Sequence, residues 1–305
     1  MLFKMGESLN KKCHIIQHGL DGTGHQFYGI FTSLILHGIK DYYFDGLEFI
    51  KKRFKFQHIT NYESCQVKDY FIESIKNFSK DLNQNRVSYS NTIHSHEIYN
   101  VPLNYSERTL YSIDNAYYFD RIGLNEKEKT QHRENIKKFK KYFINDKLPN
   151  NRLVENNIVI HIRMGDAMET SRKESINNFI NNFKILIDKL KKDYPEYKIY
   201  IHSDGKLDVF DQEGLVFFDK KTNILQILSD FIHSKIFICS NSGLSIICTF
   251  LGNHDKIIVP GDINHSLPEN CITIENYLTK IDINNPYEVK NSSLTEIIRR
   301  SGFEL

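Results

Sequence analysis

The second half of the chain alternates short apolar runs with segments of helical periodicity, and this alternation limits the possible folds more than any other feature. The apolar runs occupy residues 157–163, 197–204, 214–219, 235–240 and 255–261. The helical segments occupy residues 173–194, 222–234 and 242–252. A strand that is buried on both faces is apolar at nearly every position, and the helices that join parallel strands cover those faces. The pattern therefore predicts an α/β fold with a doubly wound parallel sheet.

Local signals predict where two of these helices begin and end. Apolar residues recur at helical spacing from Lys173 to Tyr194, and Pro195 ends that helix. Thr222 stands before the next helical stretch and is its expected N-cap, because its hydroxyl oxygen can accept a hydrogen bond from the first turn. The last residues, from Ser292, predict a further short helix.

The first half of the chain has a less regular pattern. Residues 13–38 predict a strand, a glycine loop and a helix from about His25 to His37. A charged amphipathic helix is predicted over residues 125–146, and its basic run from Lys137 to Lys141 is interpreted as a solvated face.

Length and composition indicate a globular protein of two domains. The 305 residues suffice for two cores, and the polar segment 145–157 with Pro149 predicts a boundary that separates residues 1–150 from 151–305. Hydrophobic residues make up 40% of the chain and charged residues 26%, as in ordinary globular proteins. The 40 basic and 38 acidic side chains leave a net charge of +2, so no global field attracts nucleic acid.

The cysteines and the apolar runs indicate the compartment. The five cysteines are scattered without a CxxC pair, which argues against a disulfide framework and against a zinc cage. Cys239 and Cys248 lie in apolar runs and are predicted to be core residues. The N-terminus lacks the apolar segment of a signal peptide, and no run approaches the roughly 18 apolar residues of a membrane span. We expect a cytoplasmic protein or a soluble fragment of a longer one.

Polar residues follow the apolar runs at the ends where parallel sheets bind their ligands. They are His161, Arg163, Gly165 and Asp166 after the first run, Ser203 and Asp204 after the second, and Ser240, Asn241, Ser242 and Ser245 after the fourth. Arg163 can grip two phosphate oxygens at once, but a structural ion pair with Asp166 explains that segment equally well. A helix needs a single N-cap, so the run of three from Ser240 to Ser242 favours an anion site modestly over plain capping.

A further polar cluster, the glycine loop, lies near the N-terminus. It contains Asp21, Gly22, Gly24 and His25. No Gly-Lys-Ser/Thr follows, so it is not a Walker loop, and it lacks the complete Gly-x-Gly-x-x-Gly of dinucleotide-binding proteins. The spacing of the nearby histidines matches no zinc motif.

Together these clusters resemble the motifs of a known enzyme family. The stretch "HIRMGD" at residues 161–166 is similar to the His-x-Arg-x-Gly-Asp motif of the α1,2-fucosyltransferases, and more loosely to the α1,6- and protein O-fucosyltransferases. The order also matches: a glycine loop similar to Gly-x-Gly-Asn-Gln, then His-x-Arg, a Ser-Asp strand end, and "SNS" opening a late helix. The resemblance covers residues 14–38 and 157–260.

The resemblance implies a GT-B fold with two Rossmann-like domains that face a cleft. Residues 1–150 would be the acceptor-side α/β domain and residues 151–305 the nucleotide-sugar-binding domain, with the final helix free to pack back on the first. It implies an inverting transfer of L-fucose from GDP-fucose to a glycan, glycolipid or protein-linked sugar, with no cofactor and no metal. The residues leave two alternatives open, namely another nucleotide-activated sugar as donor, and a non-catalytic protein that binds a nucleotide or sugar.

Roles for individual residues are likewise implied by position in the motifs. Arg163 would bind the diphosphate and assist catalysis, and Asp21 and His25 are the candidates for the base. The remaining donor-binding residues would be Gly22, Gly24, His161, Asp166, Ser203, Asp204, Ser240, Asn241, Ser242 and Ser245. The chain departs from the family pattern at His25, where asparagine is usual, at Gly205, where a second aspartate is common, and at residues 246–248, which replace aromatic residues.

Overall fold

A computed structural model of the protein divides the chain into two compact units, residues 1–148 and 149–305. The structure describes residues 13–16, 42–43, 70, 74, 91–94, 109–112, 126–164, 168, 173–261, 267–268 and 270–279. The predicted helix near His25 to His37 and the one from Ser292 lie outside these residues. No described helix has the length and apolar character needed to cross a membrane.

The first unit contains a parallel sheet of four short strands in the order β2-β1-β4-β3. The strands are β1 (Cys13–Ile16), β2 (Tyr42–Tyr43), β3 (Asn91–His94) and β4 (Thr109–Ser112). Helix α1 (Glu126–Phe143) lies within the predicted range 125–146 and buries Phe139 and Phe143, whose rings stack 5.3 Å apart. Tyr70 packs edge-on against Phe143 and donates its hydroxyl to the carbonyl of that residue.

The second unit is built on a parallel sheet of six strands, which confirms the predicted α/β class. The strands are β5 (Asn157–Ile162), β6 (Lys198–Ser203), β7 (Leu215–Phe218), β8 (Ile236–Ile238), β9 (Lys256–Val259) and β10 (Cys271–Thr273). Their order is β10-β9-β8-β5-β6-β7, and all the pairings are parallel. The helices are α2 (Lys173–Asn181), α3 (Phe183–Asp193), α4 (Ile224–Ile232), α5 (Gly243–Leu251) and α6 (Ile274–Thr279).

Helices cover both faces of this sheet, as continuous apolar strands require. Ile158, Ile160 and Ile162 of β5 join a core that includes Phe183 and Ile187 of α3. Residues of a strand alternate between faces, so His161 lies on the opposite face, where its ring packs against Phe231 of α4. Cys239 and Cys248 are both buried, as predicted.

The predicted helix over residues 173–194 is wrong in one respect, because it is two helices that meet at Asn182. The side-chain amide of Asn182 donates to the carbonyl oxygen of Asn178 at 2.7 Å. The backbone amide of Asn182 is shared between the carbonyl oxygens of Asn178 and Phe179, both at 3.2 Å. An asparagine that bonds locally to the backbone in this way competes with regular helical hydrogen bonds.

The predicted N-cap of α4 is also wrong by one residue. Asn223 caps the helix, with its side-chain oxygen accepting from the Leu225 amide at 2.9 Å. The amide of Thr222 instead donates to the carbonyl oxygen of Asp219 at 3.0 Å, which places Thr222 in the turn before the helix. Asparagine and threonine are both good N-caps, so the turn before the helix, which includes Thr222, decides that Asn223 is the cap.

Strand β10 and helix α6 were not predicted. Their sequence nevertheless carries a helix-start signal, since Thr273 precedes α6 and its hydroxyl oxygen accepts from the Asn276 amide at 3.2 Å. Glu275 lies in the first turn, where a negative charge suits the helix dipole.

Candidate functional site

The strand order of the second unit creates a topological switch point beside β5. From β5 the chain adds β6 and β7 on one side, and then crosses over to add β8, β9 and β10 on the other. Counted from β5, this is the order 3-2-1-4-5-6 that is typical of doubly wound α/β sheets. In such sheets ligands bind in the crevice beyond the carboxyl ends of the two strands at the switch, which here are β5 and β8.

A hydrogen bond joins the ends of these two strands across the switch point. Nδ1 of His161, near the end of β5, lies 2.9 Å from Oγ of Ser240, just beyond β8. The backbone pairing of β5 with β8 ends at Ile160 and Ile238, so the two side chains meet past the last backbone pair. The sequence predicted both residues for one site, and the structure brings them together.

Further hydrogen bonds fold Ser240 to Ser242, the serine loop, onto the start of α5. The Ser240 amide donates to Oγ of Ser245 at 3.1 Å, and the Ser242 amide donates to the carbonyl oxygen of Ser240 at 2.8 Å. Ser242 is the N-cap residue, but its side chain makes no capping hydrogen bond among the described residues. Oδ1 of Asn241 is buried and has no hydrogen-bond partner in the described part of the chain. The loop is therefore shaped by Ser240 and Ser245, while Ser242 and Asn241 keep hydrogen-bonding capacity.

The loop that follows β6 is tied to the end of β5. Oδ1 of Asp204 accepts from the Met164 amide at 2.6 Å, directly after Arg163. A Cβ atom on Gly205 would lie 3.1 Å from the Met164 Cβ, so the absence of a side chain there permits this close approach. Ser203 is buried, and its hydroxyl oxygen accepts from the Gly205 amide at 3.2 Å. Asp204 thus anchors the segment that carries Arg163.

Burial and charge keep His161 neutral. Burial is the main cause that lowers its pKa to about 3, and the neighbouring His202 and Arg163 side chains lower it further. A neutral imidazole adds no charge to the crevice, which leaves Arg163 as the cation at the end of β5. Arg163 is half-buried, and its positive charge is one of the causes that lower the pKa of His161.

Five of the predicted site residues lie outside the described residues. They are Asp21, Gly22, Gly24, His25 and Asp166. The proposed pairing of Arg163 with Asp166 and the assignment of a base to Asp21 or His25 remain predictions.

The sequence did not predict the buried ionic cluster of Arg152, Asp230 and His202. The Asp230 carboxylate is fully buried in α4 and accepts from Nη2 of Arg152 at 2.7 Å and from Nε at 3.1 and 3.2 Å. Nε2 of the Gln226 side-chain amide donates to it at 2.9 Å, and Nε2 of His202 lies 3.1 Å from it. A charged residue flanked by Ser229 and Phe231 in an apolar helix could have signalled this cluster.

The surroundings set the charge of each member of the cluster. Burial alone would raise the pKa of Asp230, but His202, Arg152 and Gln226 together hold it below its ordinary value. Burial, with the positive charge of Arg152, lowers the pKa of His202, and the Asp230 carboxylate, which raises it, does not offset them. His202 is the neighbour of His161 in strand register, and both rings pack against Phe231. The cluster is therefore linked to His161 through the strand pairing of His202 and the shared contact with Phe231.

The described residues contain no group of three or more His, Cys, Asp or Glu side chains placed to hold a metal ion. Comparison of the chain with protein-family models, characterised proteins and solved structures finds no match.

Proposed function

We propose that the protein is an inverting glycosyltransferase that transfers a sugar, L-fucose from GDP-fucose in the first instance, to a hydroxyl group of a glycan. The observation that carries this proposal is the switch point, where Arg163 directly follows β5 and the serine loop leads from β8 into α5. An arginine fork and the amides of a helix start are both suited to a diphosphate.

The resemblance of residues 161–166 to the fucosyltransferase motif supports a sugar nucleotide over a dinucleotide. In a dinucleotide-binding domain the loop after the first strand has the form Gly-x-Gly-x-x-Gly. The loop after β5 begins instead with Arg163 and Met164 and contains a single glycine, Gly165. A cation at this place suits a leaving diphosphate, whose charge increases as the bond to the sugar breaks.

The reaction proposed here is a direct displacement at the anomeric carbon. The acceptor oxygen forms a bond to this carbon from one face, the bond to the phosphate oxygen breaks on the other, and the electron pair leaves with GDP. The acceptor proton passes to a base, for which Asp21 and His25 remain the proposed residues. Arg163 and the amides at the start of α5 would stabilise the charge on the diphosphate.

Calorimetry on the full chain with GDP, GDP-fucose, UDP and guanosine tests the proposal. We expect GDP and GDP-fucose to bind, and Arg163→Ala to weaken both by about 10- to 150-fold while leaving guanosine unaffected. Transfer should fall by about 10²- to 10³-fold, as for other lost contacts to developing negative charge. Lys235→Ala is the control, because Lys235 directly precedes β8 at the amino end of that strand, away from the serine loop at its carboxyl end, and should change neither measurement.

The outcomes separate the proposal from its alternatives. Failure of the unaltered chain to bind any nucleotide would refute it, as would an Arg163→Ala variant that binds GDP normally. Tighter binding of UDP than of GDP would change the donor and leave the reaction class intact. GDP-fucose that binds without transfer or hydrolysis, across a panel of acceptors, would indicate a non-catalytic binding protein.

A further inference from the structure

We propose that His161 is a positioning residue that, through its hydrogen bond to Ser240, holds the serine loop in the shape that presents the start of α5 to the diphosphate. This inference rests on the proposed function for the identity of the ligand. The structural part, that His161 shapes the loop, stands on the geometry alone.

The first step is the place of the bond. The pairing of β5 with β8 ends at Ile160 and Ile238, and the residue after β8, Cys239, donates its amide to the carbonyl oxygen of Ile258 in β9. The 2.9 Å contact between His161 and Ser240 therefore links the loop to β5 past the end of the strand pairing.

The second step is the rigidity of the ring. The His161 ring packs against Phe231 with 4.9 Å between centroids, and Phe231 in turn contacts His202 and Phe237. Because the pKa of His161 is about 3, its imidazole stays neutral throughout the neutral range, and its hydrogen bond to Ser240 does not change with pH there. A ring fixed in place and in charge suits positioning better than proton transfer.

The third step is transmission from Ser240 to the helix. Ser240 bonds through its amide to Ser245 in the first turn of α5, and through its carbonyl oxygen to the amide of Ser242, the N-cap residue. Ser245 is fully buried, so its hydroxyl oxygen is held in place by the surrounding side chains. Release of Ser240 from His161 would loosen Ser240 and with it the amides at the start of α5.

Three variants of the full chain test the inference. His161→Phe keeps the ring and removes the bond, Ser240→Ala removes the partner, and His161→Asn keeps a polar atom close to the position of Nδ1. His233→Phe is the matched control, since His233 also lies within 3.2 Å of a serine hydroxyl but follows α4 at the opposite edge of the sheet.

The first measurement is hydrogen exchange at the amides of residues 240–246, which needs no ligand. We expect exchange there to rise at least several-fold in His161→Phe and Ser240→Ala, to return towards normal in His161→Asn, and to be unchanged in His233→Phe. Exchange in β9 should not change in any of these variants. Unchanged exchange at residues 240–246 in both His161→Phe and Ser240→Ala would overturn the inference, whatever the ligand proves to be.

The second measurement is the affinity for GDP and for guanosine. His161→Phe and Ser240→Ala should each weaken GDP binding by about 3- to 10-fold, and the double variant should bind GDP no more weakly than either single variant. Guanosine should bind to all of them as it does to the unaltered chain. The GDP affinity of the wild type and of His161→Asn should show the same pH dependence between pH 6 and 9. Normal GDP binding by His161→Phe would overturn the positioning role and leave the proposed function standing. Failure of the unaltered chain to bind either GDP or UDP would refute the proposed function and, with it, the diphosphate role of the loop.

Discussion

Replacement of Asp230 by alanine is the sharpest stability test of the second unit. The carboxylate has no exposed surface, whereas the side chain of Arg152 is 37% exposed. Removal of one partner of a buried ion pair usually costs about 3–5 kcal/mol, because the other charge is left uncompensated. Arg152 can turn towards water, so we expect the lower end, about 3 kcal/mol. His202 and Gln226 each lose a neighbour as well, which keeps the cost from falling further.

Thermal unfolding followed by circular dichroism measures this cost. About 3 kcal/mol corresponds to a fall of roughly 6–12 °C in the Tm of a unit of this size. Asp211→Ala is the control, because Asp211 also pairs with a cation at 3.0 Å but both side chains are more than half exposed. Such a pair is worth about 0–1 kcal/mol, so the control should shift the Tm by no more than roughly 4 °C. Equal shifts in the two variants would refute the reasoning, since burial would then not decide the value of the pair.

Two further expectations concern acid and helix capping. Because the pKa of His161 is about 3 in the folded chain against 6.5 ordinarily, the unfolded chain binds more protons between these values and stability falls as pH falls. His161 alone should lower the free energy of unfolding by up to about 3 kcal/mol between pH 6.5 and 4.5. His161→Phe should therefore flatten the dependence of Tm on pH, and an equal slope in both proteins would contradict this expectation. The lowered pKa of Asp230 adds a loss of stability only below its ordinary value of 3.8. Asn223→Ala should cost about 1 kcal/mol and Thr222→Ala much less, as measured by urea denaturation, and the reverse order would return the cap of α4 to Thr222.

The fold class could be predicted because it depends on a periodic pattern. Five of the six strands in the second unit are continuous apolar runs, and a run buried on both faces has few other places in a fold. The points where a side-chain hydrogen bond competes with the backbone hydrogen bonds of a helix were harder to predict. Asn182 interrupts a helix whose apolar spacing continues on both sides, and Asn223 displaces Thr222 as the cap. In both cases the outcome depends on hydrogen bonds of one side chain, which periodicity does not report.

Half of the candidate site could be predicted and the rest could not, for a related reason. His161 and Ser240 follow apolar runs, and the carboxyl ends of parallel strands meet at one edge, so their proximity follows from topology. The Arg152–Asp230 pair joins residues 78 positions apart, and neither lies at the end of a strand. In the sequence, a buried charge of this kind appears only as a charged residue within an apolar run. The sequence pattern does not indicate which residue pairs with it, because the tertiary fold brings the two together.

The crossover at the switch point also ties the site to the long-range pairing of the sheet. β5 and β6 are joined by a single pair of helices, whereas β8 pairs with β5 although β6 and β7 lie between them in the sequence. His161 and Ser240, 79 positions apart, therefore meet only when β5 and β8 are paired. A ligand held at this point would bind the finished sheet and not its partly paired precursors, and so would draw the chain towards completion by mass action. Binding of a ligand at this point and pairing of β5 with β8 are then linked equilibria.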